Sequence, residues 1–502
     1  MNLPEAYVQA MKALLGEEYE AYLESFSAPV FRGMRINRMK VDPKTCQELA
    51  GKALRPVPWV ENGYFYEDAD QPARHPHYYA GLYYLQEPSA MTPASRLPVS
   101  PGDRVLDLCA APGGKATELG ACLAGEGVLL ANDISHSRAK ALLKNLELFG
   151  IPNLFVTSED PARLAVYYEG WFDKVLIDAP CSGEGMFRRE HSMIGFWEEK
   201  GPAAYVPVQR ELLEQGVRML KTGGMLLYST CTFSPEEDEL QILGLLERHP
   251  ELTTVPVTPY EGFCPGLYGL ADAVRIFPHK MEGEGHFLVL LKKQAGVPGQ
   301  SGNADGVTTP GLPEGRISCA SNADFPKNKK KKGEKLPGQE RRMLLSKEQL
   351  PPCAEAFLSC IKGDRLFGQA DAGTGKKGGF LIEGEQLYYL GPDMERKAHV
   401  RYLRTGLLVG SIKKDRFEPS QALAMALQKA EFAAVLDYKG RDPDVIRYLK
   451  GETVMLPAHT EGTKLQAASG WILVCVDGFP LGWGKAAGGR LKNKYQAGWR
   501  MQ

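Results

Sequence analysis

From Arg104 to about Lys293 the chain alternates two patterns. Short apolar runs, "RVLDLCA", "GVLLAND", "NLFVTSED", "DKVLIDAP" and "GMLLYSTCT", are bounded by turn residues and read as buried strands. Between them lie stretches of helical period such as "SHSRAKALLKNLELFG" and "PVQRELLEQGVRMLKTGG", the first with Ser135 placed to cap its N-terminus. Strand–helix alternation of this kind predicts an α/β, Rossmann-like doubly wound sheet, whose ligands bind beyond the carboxyl ends of the strands.

The flanks differ. The first 80 residues mix helical and short strand patterns, include the basic stretch "FRGMRINRMKV" with Arg32, Arg35, Arg38 and Lys40, and lead into the aromatic-rich "HPHYYAGLYYLQEPSAM". Residues 294–342 are rich in Gly, Pro, Ser and Asn and end in a lysine run, the composition of a disordered linker. A second globular region spans 343–502. The organisation expected is therefore an N-terminal α+β extension over 1–80, the alternating domain over 81–293, the linker, and a C-terminal α+β region.

Composition narrows the class. A hydrophobic share of 43% and a charged share of 24% are ordinary for globular protein, and 60 Lys+Arg against 61 Asp+Glu leave no global attraction for a polyanion. Any basic surface must be local. No run approaches 18 apolar residues and the N-terminus lacks a signal-peptide core, so a cytoplasmic protein without a membrane span is expected. The ten cysteines form no CxxC pairs. Free thiols are expected, with neither a disulfide frame nor a metal site.

The chemistry sits at the predicted strand ends. "VLDLCAAPGGKATEL" has the small residues and glycines of a tight ligand loop. It fails the phosphate-loop pattern, because Gly114-Lys115 is followed by Ala116 and Cys109 stands where the first glycine belongs, and it fails GxGxxG as well. A ligand without a bound polyphosphate remains. Asp133 ends the second strand, where doubly wound folds meet a ribose hydroxyl pair. Asp160 follows the third and Asp178 ends the fourth. Taken singly, each acid reads as a helix cap or a solvated group; the set together points to a site. Cys181 lies just past Asp178, and Cys231 ends the next strand. A lone strand-end cysteine reads as a small buried hydrophobe, but two on the ligand side of one sheet suggest nucleophilic use. Residue chemistry alone does not rank one above the other.

"DLCAAPGGK", "NDISHSR", "DAPCSGEG" and "STCTFSPEEDE" together resemble the successive motifs of the Nol/Nop/Sun family of RNA 5-methylcytosine methyltransferases. "GLYYLQEPSAM", "HKMEGEGHF" and "GWGKAAGGRLKNKYQAGWR" resemble the branch of it that acts on small-subunit (16S) ribosomal RNA. The resemblance implies that Cys109, Ala110, Ala111, Pro112, Gly113, Gly114 and Lys115 surround S-adenosylmethionine, with Asp133 on its ribose and Asp160 on its adenine side. It implies that Asp178 lies between cofactor and target base, that Cys231 is the nucleophile and that Cys181 helps release the product. It also implies an N-terminal RNA-contacting extension and a PUA-like part in the C-terminal RNA-binding region. One departure is visible: the family often has an arginine in "NxxRxG", and "NLELFG" carries Leu148 there.

The implied chemistry is intelligible. Carbon 5 of cytosine is a poor nucleophile until a thiolate adds at carbon 6, and an acid near ring nitrogen 3, a protonated or hydrogen-bonded Asp178, would stabilise the adduct. The base must leave its stack. Trp471–Gln502 carries Lys485, Arg490, Lys492, Lys494 and Arg500 against Asp477. Trp483, Tyr495 and Trp499 lie among them, a mixture suited to phosphate contact and base stacking, or to a small β core with a solvated edge. The expected protein is a monomeric, S-adenosylmethionine-dependent rRNA cytosine-5 methyltransferase whose partner is ribosomal RNA or the small subunit. A tRNA cytosine-5 methyltransferase and an RNA-binding ribosome-assembly factor are the alternatives.

Overall fold

The computed structural model describes residues 2–295, 344–368, 375, 377–456 and 470–502. The linker expected at 294–342, with its lysine run, lies outside the described residues apart from its first two positions. The alternating segment builds β1 (Arg104–Asp107), β2 (Val128–Asn132), β3 (Leu154–Thr157), β4 (Phe172–Asp178), β5 (Leu220–Thr230) and β6 (His286–Lys293), and a strand from far downstream, β7 (Tyr402–Thr405), joins them. The order across the sheet is β6-β5-β4-β1-β2-β3-β7. β1 to β5 run parallel, β7 closes one edge antiparallel, and on the other flank the antiparallel β6 carries three further short strands, Leu252–Val255, Val274–Ile276 and Cys264–Pro265, in a sheet of ten. This is the doubly wound arrangement, with its switch point between β1 and β4. Helices cover both faces, so strand residues alternate between two cores: Leu106, Val128 and Leu130 pack on one side, Val105, Leu129 and Ala131 on the other.

Two helices follow the first strands, α1 (Gly114–Cys122) and α2 (His136–Phe149). Ser135 stands at the N-cap of α2, but its side chain caps nothing. The Asp133 carboxylate accepts from the Ser135 amide at 2.9 Å instead. Leu148, where the family often has arginine, is buried in the core.

The N-terminal extension pairs the helices Glu5–Leu15 and Tyr19–Ser25 with a four-stranded antiparallel sheet. Its basic stretch is engaged internally. Arg35 is fully buried, donates to the carbonyl of Gly114 at 2.6 Å and to Thr117 at 2.7 Å, and pairs with Glu118 at 2.7 Å. Lys40 donates to the carbonyls of Ala80 at 2.7 Å and Leu148 at 3.1 Å, and burial pushes its ammonium down to about 7. Arg38 meets Glu61 at 2.9 Å, and Arg32 meets Asp68. Within this basic stretch Arg35 and Arg38 tie to Glu118 of α1, while Lys40 ties the turn at Ala80 to the end of α2.

The C-terminal region holds a four-stranded sheet, Gly379–Glu383 to Arg416–Pro419, and a five-stranded one running from Val435–Tyr438 to Arg490–Asn493. Trp483, Tyr495 and Trp499 are its core, exposed by 1%, 2% and 5%. They are unavailable to stack on bases, which corrects the aromatic half of the sequence reading. Lys485, Arg490, Lys492 and Arg500 remain exposed, and Lys485 and Lys494 flank the half-buried Trp471 ring at 5.8 and 5.7 Å. This region is joined to the sheet domain by more than a linker: besides β7, Arg401 grips the buried Glu159 through its Nη2 at 3.0 Å.

Candidate functional site

The site forms where β1, β2, β4 and β5 end. Past β1 the chain turns through Cys109–Gly114 into α1. Gly113 adopts φ 115°, open to glycine and strained for other residues, and a Cβ there would stand 3.2 Å from Leu142. The loop is framed from outside: Arg138 donates to the Ala111 carbonyl at 2.7 Å, Asn145 to Pro112 at 2.7 Å and Arg35 to Gly114 at 2.6 Å. Asn132, at the end of β2, ties neighbouring strand ends together by bonding the Leu108 and Glu159 carbonyls and the Thr157 hydroxyl.

Four acids surround this loop. Asp133 is buried, with one oxygen on the Ser135 amide and the other 3.4 Å from Arg138. Asp160 is exposed and caps the helix Pro161–Tyr167, accepting from the Ala162 amide at 2.8 Å. Asp107, which the sequence reading passed over, is fully buried, and neither oxygen makes a hydrogen bond of normal geometry. Burial, reinforced by Asp178, pushes its carboxyl up to about 8. Asp178 receives the Lys115 ammonium at 2.7 Å and the Ser229 hydroxyl at 2.9 Å. Burial alone would raise Asp178, but Lys115 and His286, the latter 3.6 Å away, hold it well below the usual carboxylate range. Of the two forms the sequence allowed, the structure favours the anionic, hydrogen-bonded one. Lys115 thus reaches across from the loop to the acid that ends β4.

Adjacent parallel strands β4 and β5 deliver the two cysteines, and the sulfurs of Cys181 and Cys231 lie 3.4 Å apart as free thiols. The hydrogen bond to Cys231, with burial, raises Cys181 well above the ordinary thiol range, so Cys181 keeps its proton. His286 and Ser229 were missed as site residues. His286 lies inside the quoted "HKMEGEGHF", but only the β5–β6 pairing reveals that it faces Asp178.

Four family models match in chain order: the N-terminal domain of 16S rRNA methyltransferase RsmF over 3–88, 16S rRNA methyltransferase RsmB/F over 94–292, the RsmF rRNA methyltransferase first C-terminal domain over 367–427, and the methyltransferase RsmF PUA domain over 436–501. The chain belongs to the RsmF family. Among curated RsmF relatives, the ribosomal RNA small subunit methyltransferase F of Erwinia tasmaniensis is 36% identical over 59% of this chain and 64% of its own length. The alignment thus leaves about a third of that relative unmatched. The protein of the same name from an Enterobacter species is 28% identical over 98% of this chain and 95% of its own. The crystal structure of PH0851 superposes with a TM-score of 0.53 and 29% identity over 58% of this chain and 66% of that one. That of NSun6 from Pyrococcus horikoshii with SFG gives 0.50 and 22% over 58% and 99%, a likeness of fold.

No helix among the described residues is long and apolar enough to cross a membrane.

Proposed function

We propose that this chain transfers a methyl group from S-adenosylmethionine to carbon 5 of a cytosine in small-subunit ribosomal RNA, through a covalent adduct on Cys231. The observation that carries the reading is the pair of thiols in contact at adjacent strand ends beside an anionic aspartate. The residues present fit the cofactor. A loop of small residues with Gly113 in the left-handed region, bordered by the strand-end acids Asp133, Asp160 and Asp178, suits a ligand bearing sulfonium and ammonium charges. Ala110–Lys115 would surround it, Asp133 would accept from the ribose hydroxyls, and Asp160 would lie at the adenine end. When bound, the cofactor supplies an electrophilic methyl group.

The chain's own residues do the rest. Cys231 gives its proton to solvent and adds to carbon 6 as the thiolate, and the ring electrons move toward carbon 5. The Asp178 carboxylate accepts from the exocyclic amino group, with Lys115 and His286 keeping the carboxylate anionic. After transfer, carbon 5 carries both methyl and hydrogen. Solvent takes that hydrogen as a proton, the carbon 5–carbon 6 double bond re-forms, and the departing Cys231 sulfur takes the proton that Cys181 holds in contact with it, which solvent then restores to Cys181. The proton-holding environment of Cys181 suits this acid–base part and supports Cys231 as the attacking thiol. Exposed lysines and arginines of the C-terminal region would hold the RNA backbone.

The test uses 16S rRNA transcribed with 5-fluorocytidine, whose adduct cannot eliminate. A denaturing gel should show a protein–RNA band that needs cofactor, persists in Cys181→Ala and vanishes in Cys231→Ala. A band lost in Cys181→Ala and kept in Cys231→Ala would reverse the roles, and no band with the unaltered protein would defeat the reading.

A further inference from the structure

The quoted "STCTFSPEEDE" ends in four consecutive acids that the mechanism does not use; Glu236 is exposed, and the other three are fully buried. Two of them share one cation. Glu239 takes Arg275 in two bonds of 2.7 and 2.5 Å, and Asp238 lies 3.5 Å from the same guanidinium while accepting from Thr230. Glu237 is different: among the described residues it has no cation and is held by neutral donors alone. Its Oε1 accepts from the Ser182 amide at 2.9 Å and from the Gln209 side chain at 2.9 Å, and its Oε2 accepts from the Ser182 hydroxyl. The Ser182 hydroxyl in turn receives that of Thr232 at 2.7 Å. Ser182 follows Cys181 in the chain, and Thr232 follows Cys231. One chain of hydrogen bonds, Thr232 to Ser182 to Glu237, therefore runs beside both sulfurs. Gln209 also bonds the carbonyl of Pro180, so Glu237 and Gln209 bracket Cys181 from both sides in sequence.

A buried carboxylate without a counterion is costly, and burial raises Glu237 to about 7. A merely structural site would be served by neutral side chains. The two loops are already joined by the Gly185 amide on the Cys231 carbonyl at 2.9 Å and the Phe233 amide on Glu184 at 3.0 Å; what Glu237 adds is a tie to the immediate neighbours of Cys181 itself, Ser182 directly and Pro180 through Gln209. We propose that Glu237 is the positioning residue for product release, holding the Cys181 thiol in the contact with Cys231 from which it protonates the departing sulfur. The inference rests on the adduct reading above. Attack and methyl transfer need Cys231, which directly follows β5 and whose carbonyl is held by the Gly185 amide, a bond in which Glu237 takes no part; the release step needs Cys181 in register as well.

Glu237→Ala should therefore leave single-turnover methyl transfer to 16S rRNA transcript near the unaltered rate. Release of the RNA should slow by about 100-fold, the usual consequence of an ångström-scale misplacement, so an adduct accumulates on ordinary cytosine. Glu237→Gln, which still accepts from the Ser182 amide, should restore most of the release. If Glu237→Ala is not recovered folded, Ser182→Ala severs the same chain at one hydroxyl and should show the same split in milder form. Unaltered release in a folded variant, or transfer and release falling together, would overturn the proposal. The fluorocytidine adduct of the unaltered enzyme reports separately on the underlying reading.

Discussion

Replacing Lys115 with methionine leaves the Asp178 carboxylate at the end of β4 without its cation. The side chains are 10% and 32% exposed, and the bond is 2.7 Å. Breaking a fully buried pair costs about 3–5 kcal/mol. Asp178 is nearly a third exposed and keeps the Ser229 hydroxyl, so the loss should be about 1–2 kcal/mol at pH 8. The pH dependence separates charge from packing. In the unaltered protein Asp178 titrates below its unfolded value of about 3.9, so its contribution is full above about pH 5. It is lost only as pH falls through the native value. Without Lys115, burial dominates and the native value moves above the unfolded one. The deficit is then largest at high pH and shrinks as Asp178 is protonated on the way down to about pH 4. Urea unfolding of both proteins at pH 8 and at pH 5 reads this directly. A deficit of the same size at both would show that the lost alkyl contacts matter and the charge does not. Adding Asp178→Asn should remove the pH dependence of the deficit, because no carboxylate is left to strand.

Asp133→Ala should weaken S-adenosylmethionine binding by about 10- to 100-fold, the loss of one charged hydrogen-bond acceptor, as measured by calorimetry on folded protein. Trp483→Ala should cost about 3–5 kcal/mol of stability as a core truncation. RNA affinity falling in that variant with unchanged melting would restore the stacking role. Replacing Lys485, Arg490 and Lys492 together with alanine should lower the slope of log affinity for RNA against log salt by about 2 while sparing cofactor binding. An unchanged slope in a fluorescence titration would place the RNA elsewhere.

The alternation of apolar runs made the catalytic sheet legible, because strands covered on both faces leave continuous hydrophobic signatures. "DLCAAPGGK" and the strand-end acids were legible for the same reason: sheet topology puts them on one edge. What failed were inferences from residue type without partners. Arg35 and Lys40 of "FRGMRINRMKV" turn inward because Glu118, on α1, and the carbonyls of Gly114 and Leu148 await them, while Arg32 and Arg38 stay partly exposed beside Asp68 and Glu61. The tail aromatics fill two cores of a mixed sheet: Trp483 packs with the helix Gln421–Ala426, and Tyr495 and Trp499 pack in the other with Tyr448 and Leu449. Asp107 was passed over because nothing local marks a buried acid as unpartnered. His286 and Glu237 acquire their meaning from contacts between residues far apart in the chain.

β7 carries a consequence for how the molecule is made. Arg401, just before it, meets a glutamate 242 residues earlier in the chain. A ribosome synthesising this protein exposes β3, whose four residues are all buried in the finished sheet, long before its neighbour exists. Until then β3 is an open edge with unpaired amides and carbonyls, the kind of surface that recruits foreign strands. A prematurely terminated chain is therefore left adhesive, and one that reaches β7 seals itself, so the sheet edge distinguishes completed molecules from interrupted ones.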